Sequence, residues 1–299
     1  MQKLKEEIET QFARHLEEHI FWKQLATESP AGFAAVRETL LAPGKRLRPL
    51  LFCAACRVMD REPLSDLIPV ALALELAHAF ILIHDDIIDH SDERRGAPTL
   101  PKRMNELFAE KPADGFRGSD FALVTGDLLY TLAIESLLQA EASDAQKIEA
   151  IRLFARAALD TGRGALLEMR AAQIPLEQLT VEDIEKIYAL KTGSYTFALP
   201  LQLAACFSKP WKKRDVFFQG LEKNLPRFGK HAGIAFQLLN DQNSLADDLR
   251  DGRRTWALVS AGSKDVKAAQ QEYAHRAFDL VNDLPEVRAL LSIALNATA

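Results

Sequence analysis

Three carboxylates crowd the stretch Ile83-His84-Asp85-Asp86-Ile87-Ile88-Asp89, at the end of an apolar run. On a helix, Asp85 and Asp89 stand at i and i+4, on one face and about 6 Å apart. Acids gathered at a helix C-terminus repel each other and oppose the helix dipole, and cations relieve both effects. Hard oxygen ligands at this spacing suit Mg²⁺, which takes one or two carboxylates plus water and substrate phosphate. A solvated helix end is the alternative. Past the acids the charge changes sign, and Asp92-Glu93-Arg94-Arg95-Gly96 puts two arginines on a turn. Carboxylates for a metal beside arginines for phosphate describe a diphosphate site.

Further cations lie at 44–49, where Gly-Lys-Arg-Leu-Arg-Pro sets Lys45, Arg46 and Arg48 at a helix start. A helix N-terminus with cations attracts anions, though a basic surface turn reads the same way. Lys191-Thr192-Gly193 pairs a cation with a hydroxyl inside a helical stretch, where an ordinary kink is the alternative. A second polar face comprises Gln237, Asn240, Asp241, Ser244 and Asp248, following the apolar run 232–236. Asn240, Ser244 and Asp248 form one stripe at i, i+4 and i+8. Such a stripe lines a wet cavity or crosses to the surface.

These groups must be carried by helices. The chain is rich in Ala, Leu, Glu, Lys and Arg, all strong helix formers. Apolar residues recur at three and four, as in Phe121, Val124, Leu128 and Leu132, and no segment alternates over a strand's length. An all-α protein of about ten or more helices follows. Turns are expected at Pro43-Gly44, over 90–101, over 111–118 and at 208–212, with Pro69 in a first helical turn. No linker or repeat divides the 299 residues, so a single helical domain over 1–299 is expected.

Composition narrows the function. Hydrophobic residues make up 48% and charged residues 26%, the balance of a soluble globular protein. A net charge of −5 argues against nucleic acid as a partner. The apolar stretch 67–83 contains Glu75 and His78 and ends on acids, so no integral membrane segment is expected. Three cysteines cannot build a secreted disulfide framework, and the first ten residues hold no apolar signal core. A cytoplasmic setting is expected.

Taken together, GKRLRP (44–49), ELAHAFILIHDDIID (75–89), RRG with Pro-Thr (94–99), GDLL (126–129), KTG (191–193) and GIAFQ (233–237) stand in an order that resembles the trans-isoprenyl diphosphate synthases, or polyprenyl synthetase family. The likeness covers about 44–256. It implies an all-α bundle around a deep central cavity, usually a homodimer. It also implies Mg²⁺-dependent transfer of an allylic group to isopentenyl diphosphate, with three ions per site when substrate is bound. By motif, Asp85, Asp86 and Asp89 would hold Mg²⁺ on the allylic diphosphate, which Arg94, Lys191, Thr192 and Gln237 would contact. Lys45, Arg48, His78 and Arg95 would hold isopentenyl diphosphate. Lys191 joins the acids as a catalytic group, and Arg253, where a lysine is usual, joins the substrate ligands.

The chain departs from the family pattern in its second half. Where a second DDxxD is usual it reads Asn240-Asp241-Gln242-Asn243-Ser244, and the usual Gly-Gln-x-x-Asp appears as Gly164-Ala165-Leu166-Leu167-Glu168. Metal ligation there would fall to Asn240, Asp241, Ser244 and Asp248. The set Asn240, Ser244 and Asp248 also looks like the metal triad of class I terpene cyclases, with Asp for the final Glu. A cyclase-like lyase and a non-catalytic subunit of a heteromeric synthase are the alternatives. The retained Lys45, Arg48, His78 and Arg95 favour elongation. Phe80, five residues before Asp85, is a candidate floor for the product tunnel. The family pattern then implies C15 to C20 products, leaning to geranylgeranyl.

Weaker signals read as structure. Cys53 and Cys56 form a CxxC in Ala-rich helix and read as buried thiols. His84 reads as a packed histidine. His15 and His19 read as a solvated face. Asp127 reads equally as a structural or a catalytic group.

Overall fold

A computed structural model describes residues 2–59, 64–94, 96–109, 115–208, 216–250, 253–260 and 265–297, with the side chains of 64, 216–222 and 243–250 excepted. The described chain is all-α, with a single short antiparallel pair, Glu93–Arg94 with Ala97–Pro98. That pair falls in the expected 90–101 loop and is too short to show as alternation. Gly96, at φ 76°, turns it.

The helices are α1 (Gln2–Glu18), α2 (Ile20–Glu28), α3 (Pro30–Leu41), α4 (Leu47–Val58), α5 (Ile68–Ile88), α6 (Leu100–Ala109) and α7 (Gly118–Leu138). They continue with α8 (Asp144–Ala172), α9 (Val181–Tyr188), α10 (Leu199–Phe207), α11 (Val216–Arg250), α12 (Trp256–Val259), α13 (Val266–Asp279) and α14 (Pro285–Leu295). Local chemistry fixes many ends. Ser143 and Gln146 cap α8 reciprocally, as Thr180 and Asp183 cap α9. Asp265 caps α13, and Asn296 closes α14 in the left-handed region. Pro30, Pro69 and Pro285 sit in first turns, where the missing N–H costs nothing. Pro101, expected in a loop, likewise lies in the first turn of α6. Of the other expected loops, 110–114 and 209–215 lie outside the described residues.

Contacts divide the chain into two compact units. Unit 1 is Met1–Pro49 with Ser65–Glu141, and unit 2 is Leu50–Leu64 with Ala142–Ala299. In unit 1, α5 packs chiefly on α7, and α6 on α7. Residues 70–77 of α5 are all buried. On α7 the buried face is Ala122, Thr125, Gly126, Leu129, Leu132, Ala133, Ser136 and Leu137. Val124, expected on the apolar stripe, is 58% exposed because α7 is apolar on more than one face. Residues 65–88 and 118–138 are long and apolar enough to cross a bilayer by length and composition. Helices buried in a protein core pass the same test, and Glu75 and Asp86 on α5 both have cationic partners within unit 1.

In unit 2, the run from Ala189 to Ala198 is π-helical and continues α9 into α10 without a break. Lys191-Thr192-Gly193 therefore sits in a widened helix, a geometry found often at functional sites. This segment packs against both α8 and α11. Glycine makes that approach possible. A Cβ on Gly164 of α8 would stand 2.6 Å from the Lys191 nitrogen, and one on Gly233 of α11 would stand 2.5 Å from the Gly193 Cα. A Cβ on Gly193 would meet the Gly229 carbonyl oxygen at 2.5 Å. The buried face of α8 runs Ala150, Phe154, Ala157, Thr161, Gly164 and Ala171. Glu168 lies on the same three-and-four spacing.

Candidate active site

In unit 1 the acidic cluster closes α5. The Asp89 N–H donates to the Asp85 carbonyl at 2.8 Å, so one helical turn separates the two residues and their side chains share a face. Asp86 turns elsewhere. It is 4% exposed, and its Oδ1 accepts from Arg94 Nε at 2.8 Å, with a terminal Arg94 nitrogen 2.7 Å from the same oxygen. Burial raises the Asp86 pKa above the usual carboxylate value and the Asp89 charge adds to the rise, while Arg94 opposes both. The expected acid trio is thus divided into a pair, Asp85 and Asp89, and one carboxylate committed to Arg94.

Among the described residues, no three His, Cys, Asp or Glu side chains converge to hold an ion. Two hard carboxylates one turn apart still fit Mg²⁺, which relies on substrate oxygens and water to complete its shell. They would not suit an ion that needs an all-protein cage.

The other unit 1 residues lie on the α3–α4 turn, on α4 and on α5. Lys45 is exposed in the turn before α4, and Arg48 is buried in its first helical turn. His78 is half-buried on α5. A cavity of about 90 Å³ is lined by Arg46, Glu75, His78, Asp86 and Arg94, among others. Arg95 lies outside the described residues. His84 packs on α7, with Nε2 3.2 Å from the Leu123 carbonyl, and Gly126 leaves room for its ring. Phe80 stacks between His84 and Tyr130, with ring centroids at 4.8 and 5.3 Å. Asp127 is largely exposed, 3.8 Å from His84 Nε2.

Unit 2 carries a connected polar set. Lys191 Nζ lies 2.5 Å from Glu168 Oε2. Gln237 Nε2 donates to Thr192 Oγ1 at 2.6 Å, and Asn240 Nδ2 donates to Gln237 Oε1 at 3.1 Å. Thr192 and the Gln237–Asn240 part of α11, 45 residues apart in sequence, are therefore joined by hydrogen bonds, and Lys191 pairs separately with Glu168.

Asp241, expected among the metal ligands, is buried and hydrogen-bonded within unit 2. It is 5% exposed, and the Tyr188 hydroxyl contacts both its oxygens at 2.8 and 2.9 Å. The Trp256 backbone N–H donates to the same hydroxyl at 3.2 Å, which ties Asp241 into the core. Arg253 is exposed ahead of α12. Ser244 and Asp248 lie on α11, on the same helix as Asn240, but their side chains are outside the described set.

The sequence marks Arg46 as one of three cations and Glu75 as a charge in an apolar run, but does not pair them, and it gives Tyr188 no role. Glu75 carried a signal, since a charge within a wholly apolar helix demands a partner. That partner, Arg46, could not be inferred from spacing.

Comparison with known proteins places these motifs. The polyprenyl synthetase family profile matches residues 31–291. Farnesyl diphosphate synthase of Geobacillus stearothermophilus is 28% identical over 293 residues, covering 91% of this chain and 88% of that protein. Geranylgeranyl pyrophosphate synthase 9 of Arabidopsis thaliana is 30% identical over 250 residues, covering 80% of this chain and 61% of that protein. A solved FPP/GFPP synthase from Zymomonas mobilis superposes with a TM-score of 0.73 at 26% identity, covering 98% of this chain and 100% of that one. Geranylgeranyl pyrophosphate synthase from Corynebacterium glutamicum, solved with isoprenyl diphosphate and magnesium, shares the fold at 23% identity, with a TM-score of 0.77 and coverage of 98% and 97%. With its motifs in family order and the profile running through both units, the chain belongs to the polyprenyl synthetase family.

Proposed function

We propose that this enzyme joins an allylic diphosphate to isopentenyl diphosphate, releasing a trans-prenyl diphosphate of C15 to C20 length, with geranylgeranyl diphosphate favoured. One feature supports the reading: unit 1 carries two groups of residues to which we assign diphosphate binding. The first is Asp85 and Asp89 with Arg94 beside them. The second is Lys45, Arg48 and His78, with Arg95 assigned by motif. A cyclase ionises one diphosphate and has no use for the second set.

The chain's residues position the substrates and neutralise charge. Arg94, held by Asp86, presents a guanidinium whose orientation is already fixed, so less entropy is lost when it engages phosphate. By motif, Lys191, Thr192 and Gln237 are proposed as ligands of an allylic diphosphate. Bound Mg²⁺ supplies charge neutralisation on the leaving diphosphate. Asp85 and Asp89 would hold it, and the third ion of the proposed three falls to Asn240, Ser244 and Asp248. As the allylic C–O bond breaks, the isopentenyl double bond attacks C1 of the cation, and the departing diphosphate takes the proton lost from the adduct. Arg94 and Lys191 favour that cleavage by stabilising the charge on the leaving group. Phe80 is the proposed tunnel floor.

The chain acts as one domain and as a homodimer in the cytoplasm. Leu123 and Val124, 49% and 58% exposed on α7, support an apolar face for the partner copy. The buried thiols of Cys53, Cys56 and Cys206, none in a disulfide, are consistent with a reducing setting.

The test incubates purified protein and Mg²⁺ with geranyl or farnesyl diphosphate, with and without isopentenyl diphosphate, and analyses products by mass. Longer diphosphates that require isopentenyl diphosphate support elongation. Hydrocarbons formed without it would instead mark a cyclase, and no turnover would mark a silent subunit.

A further inference from the structure

Arg46 stands at φ 49°, in the left-handed region, which a non-glycine residue occupies only when its surroundings hold it there. The hold is visible. One terminal nitrogen donates to Glu75 Oε2 at 2.8 Å. The Nε reaches Glu9 Oε1 at 3.4 Å. The other terminal nitrogen donates to the carbonyls of Leu40 and Ala42 at 3.4 and 3.2 Å. The guanidinium also lies 5.7 Å above the Phe12 ring centre. The Arg46 and Glu75 side chains are 9% and 3% exposed. A single side chain thus ties the α3–α4 turn to α1, to the end of α3 and to α5.

The residues around this knot give it meaning. Lys45 precedes Arg46, and Arg48 follows two residues later. His78 follows Glu75 by three on α5, so the two share a helical face. Arg46, Glu75 and His78 line the same cavity. We infer that the Arg46–Glu75 pair is a positioning device that holds Lys45 and Arg48 in register with His78 for the diphosphate of isopentenyl diphosphate. This rests on the function proposed above. Arg46 does not serve as a ligand itself, because Glu75, Glu9 and two carbonyls already take four of its five donors and Glu75 balances its charge.

The test uses the full chain with Glu75→Gln and Arg46→Lys. The first keeps shape but removes the buried counter-charge. The second keeps charge but loses the planar fork that reaches several acceptors at once. KM is measured for each substrate separately. Isothermal titration measures binding of isopentenyl diphosphate alone, a condition without turnover.

Both variants raise the KM and the dissociation constant for isopentenyl diphosphate by about tenfold or more, while the allylic KM stays within about twofold. An unchanged or lower isopentenyl KM overturns the inference. So does a parallel rise in both KM values, the mark of general loosening. If Glu75→Gln shows no cooperative unfolding transition, Glu9→Gln takes its place. It touches only the outer 3.4 Å contact, and the expected effect is about two- to threefold on isopentenyl diphosphate alone. Wild-type protein that neither binds nor extends with isopentenyl diphosphate defeats the proposed function. Active wild type with unshifted variants defeats this inference only.

Discussion

Arg94 grips a single oxygen of Asp86, with Nε at 2.8 Å and a terminal nitrogen at 2.7 Å, and so divides the labour within the acidic cluster. Asp85 and Asp89, one helical turn apart, are the pair proposed to hold an ion. Asp85→Asn and Asp89→Asn should each lower kcat by about 10²–10³-fold and raise the Mg²⁺ concentration giving half-maximal rate. Asp86→Asn should act through Arg94, raising the allylic KM and leaving the Mg²⁺ dependence in place. A Mg²⁺ titration of the variants checks the division, and equal shifts at all three positions would refute it.

Asp241 is assigned here to the core. Tyr188→Phe removes the hydroxyl that contacts both its oxygens and leaves a buried carboxylate short of a donor. The expected cost is about 1–3 kcal/mol of stability, read by urea unfolding, with the Mg²⁺ requirement unaltered. A changed Mg²⁺ requirement would return Asp241 to the metal site.

Phe80 offers a test of product length. Its ring lies against His84 and Tyr130, so Phe80→Ala opens space at that point on α5. Products should lengthen by one or more five-carbon units in a mass-detected assay. Unchanged products would make Phe80 an ordinary core residue.

His15, expected with His19 on a solvated face, is instead half-buried and sets a pH dependence. Burial and the neighbouring His19 charge lower its pKa from 6.5 to about 4, and Glu135 only partly opposes them. The unfolded chain binds this proton as pH falls through 6.5, while the folded chain resists until about 4. Stability therefore falls with pH across that window, by roughly 3 kcal/mol at most, and this contribution is intact above it. His15→Phe removes the titration and should flatten urea midpoints measured between those pH values. A curve as steep as wild type would assign the acid sensitivity elsewhere.

What the sequence discloses follows the range of each interaction. The facing of Asp85 and Asp89 is a property of one helical turn and was legible. The turning of Asp86 depends on Arg94 across a bend, and the motif alone does not specify it. All-helical structure was legible from spacing and composition, whereas the π form at Ala189–Ala198 was not. Lys191-Thr192-Gly193 announced an irregularity, but its form depends on close approach by α8 and α11, which are remote in the chain. Arg46 is the extreme case. Its local backbone calls for glycine, and only partners as far away as Glu75 account for an arginine.

The glycines around Lys191 carry a practical consequence for anyone redesigning this enzyme. Bare backbone meets bare backbone on two sides of that lysine's segment, so there is nothing left to trim. Even an alanine at position 164, 193 or 233 would force whole helices apart. Variation aimed at new substrates should leave this part of unit 2 alone and begin with the aromatic rings of Phe80 and Tyr130.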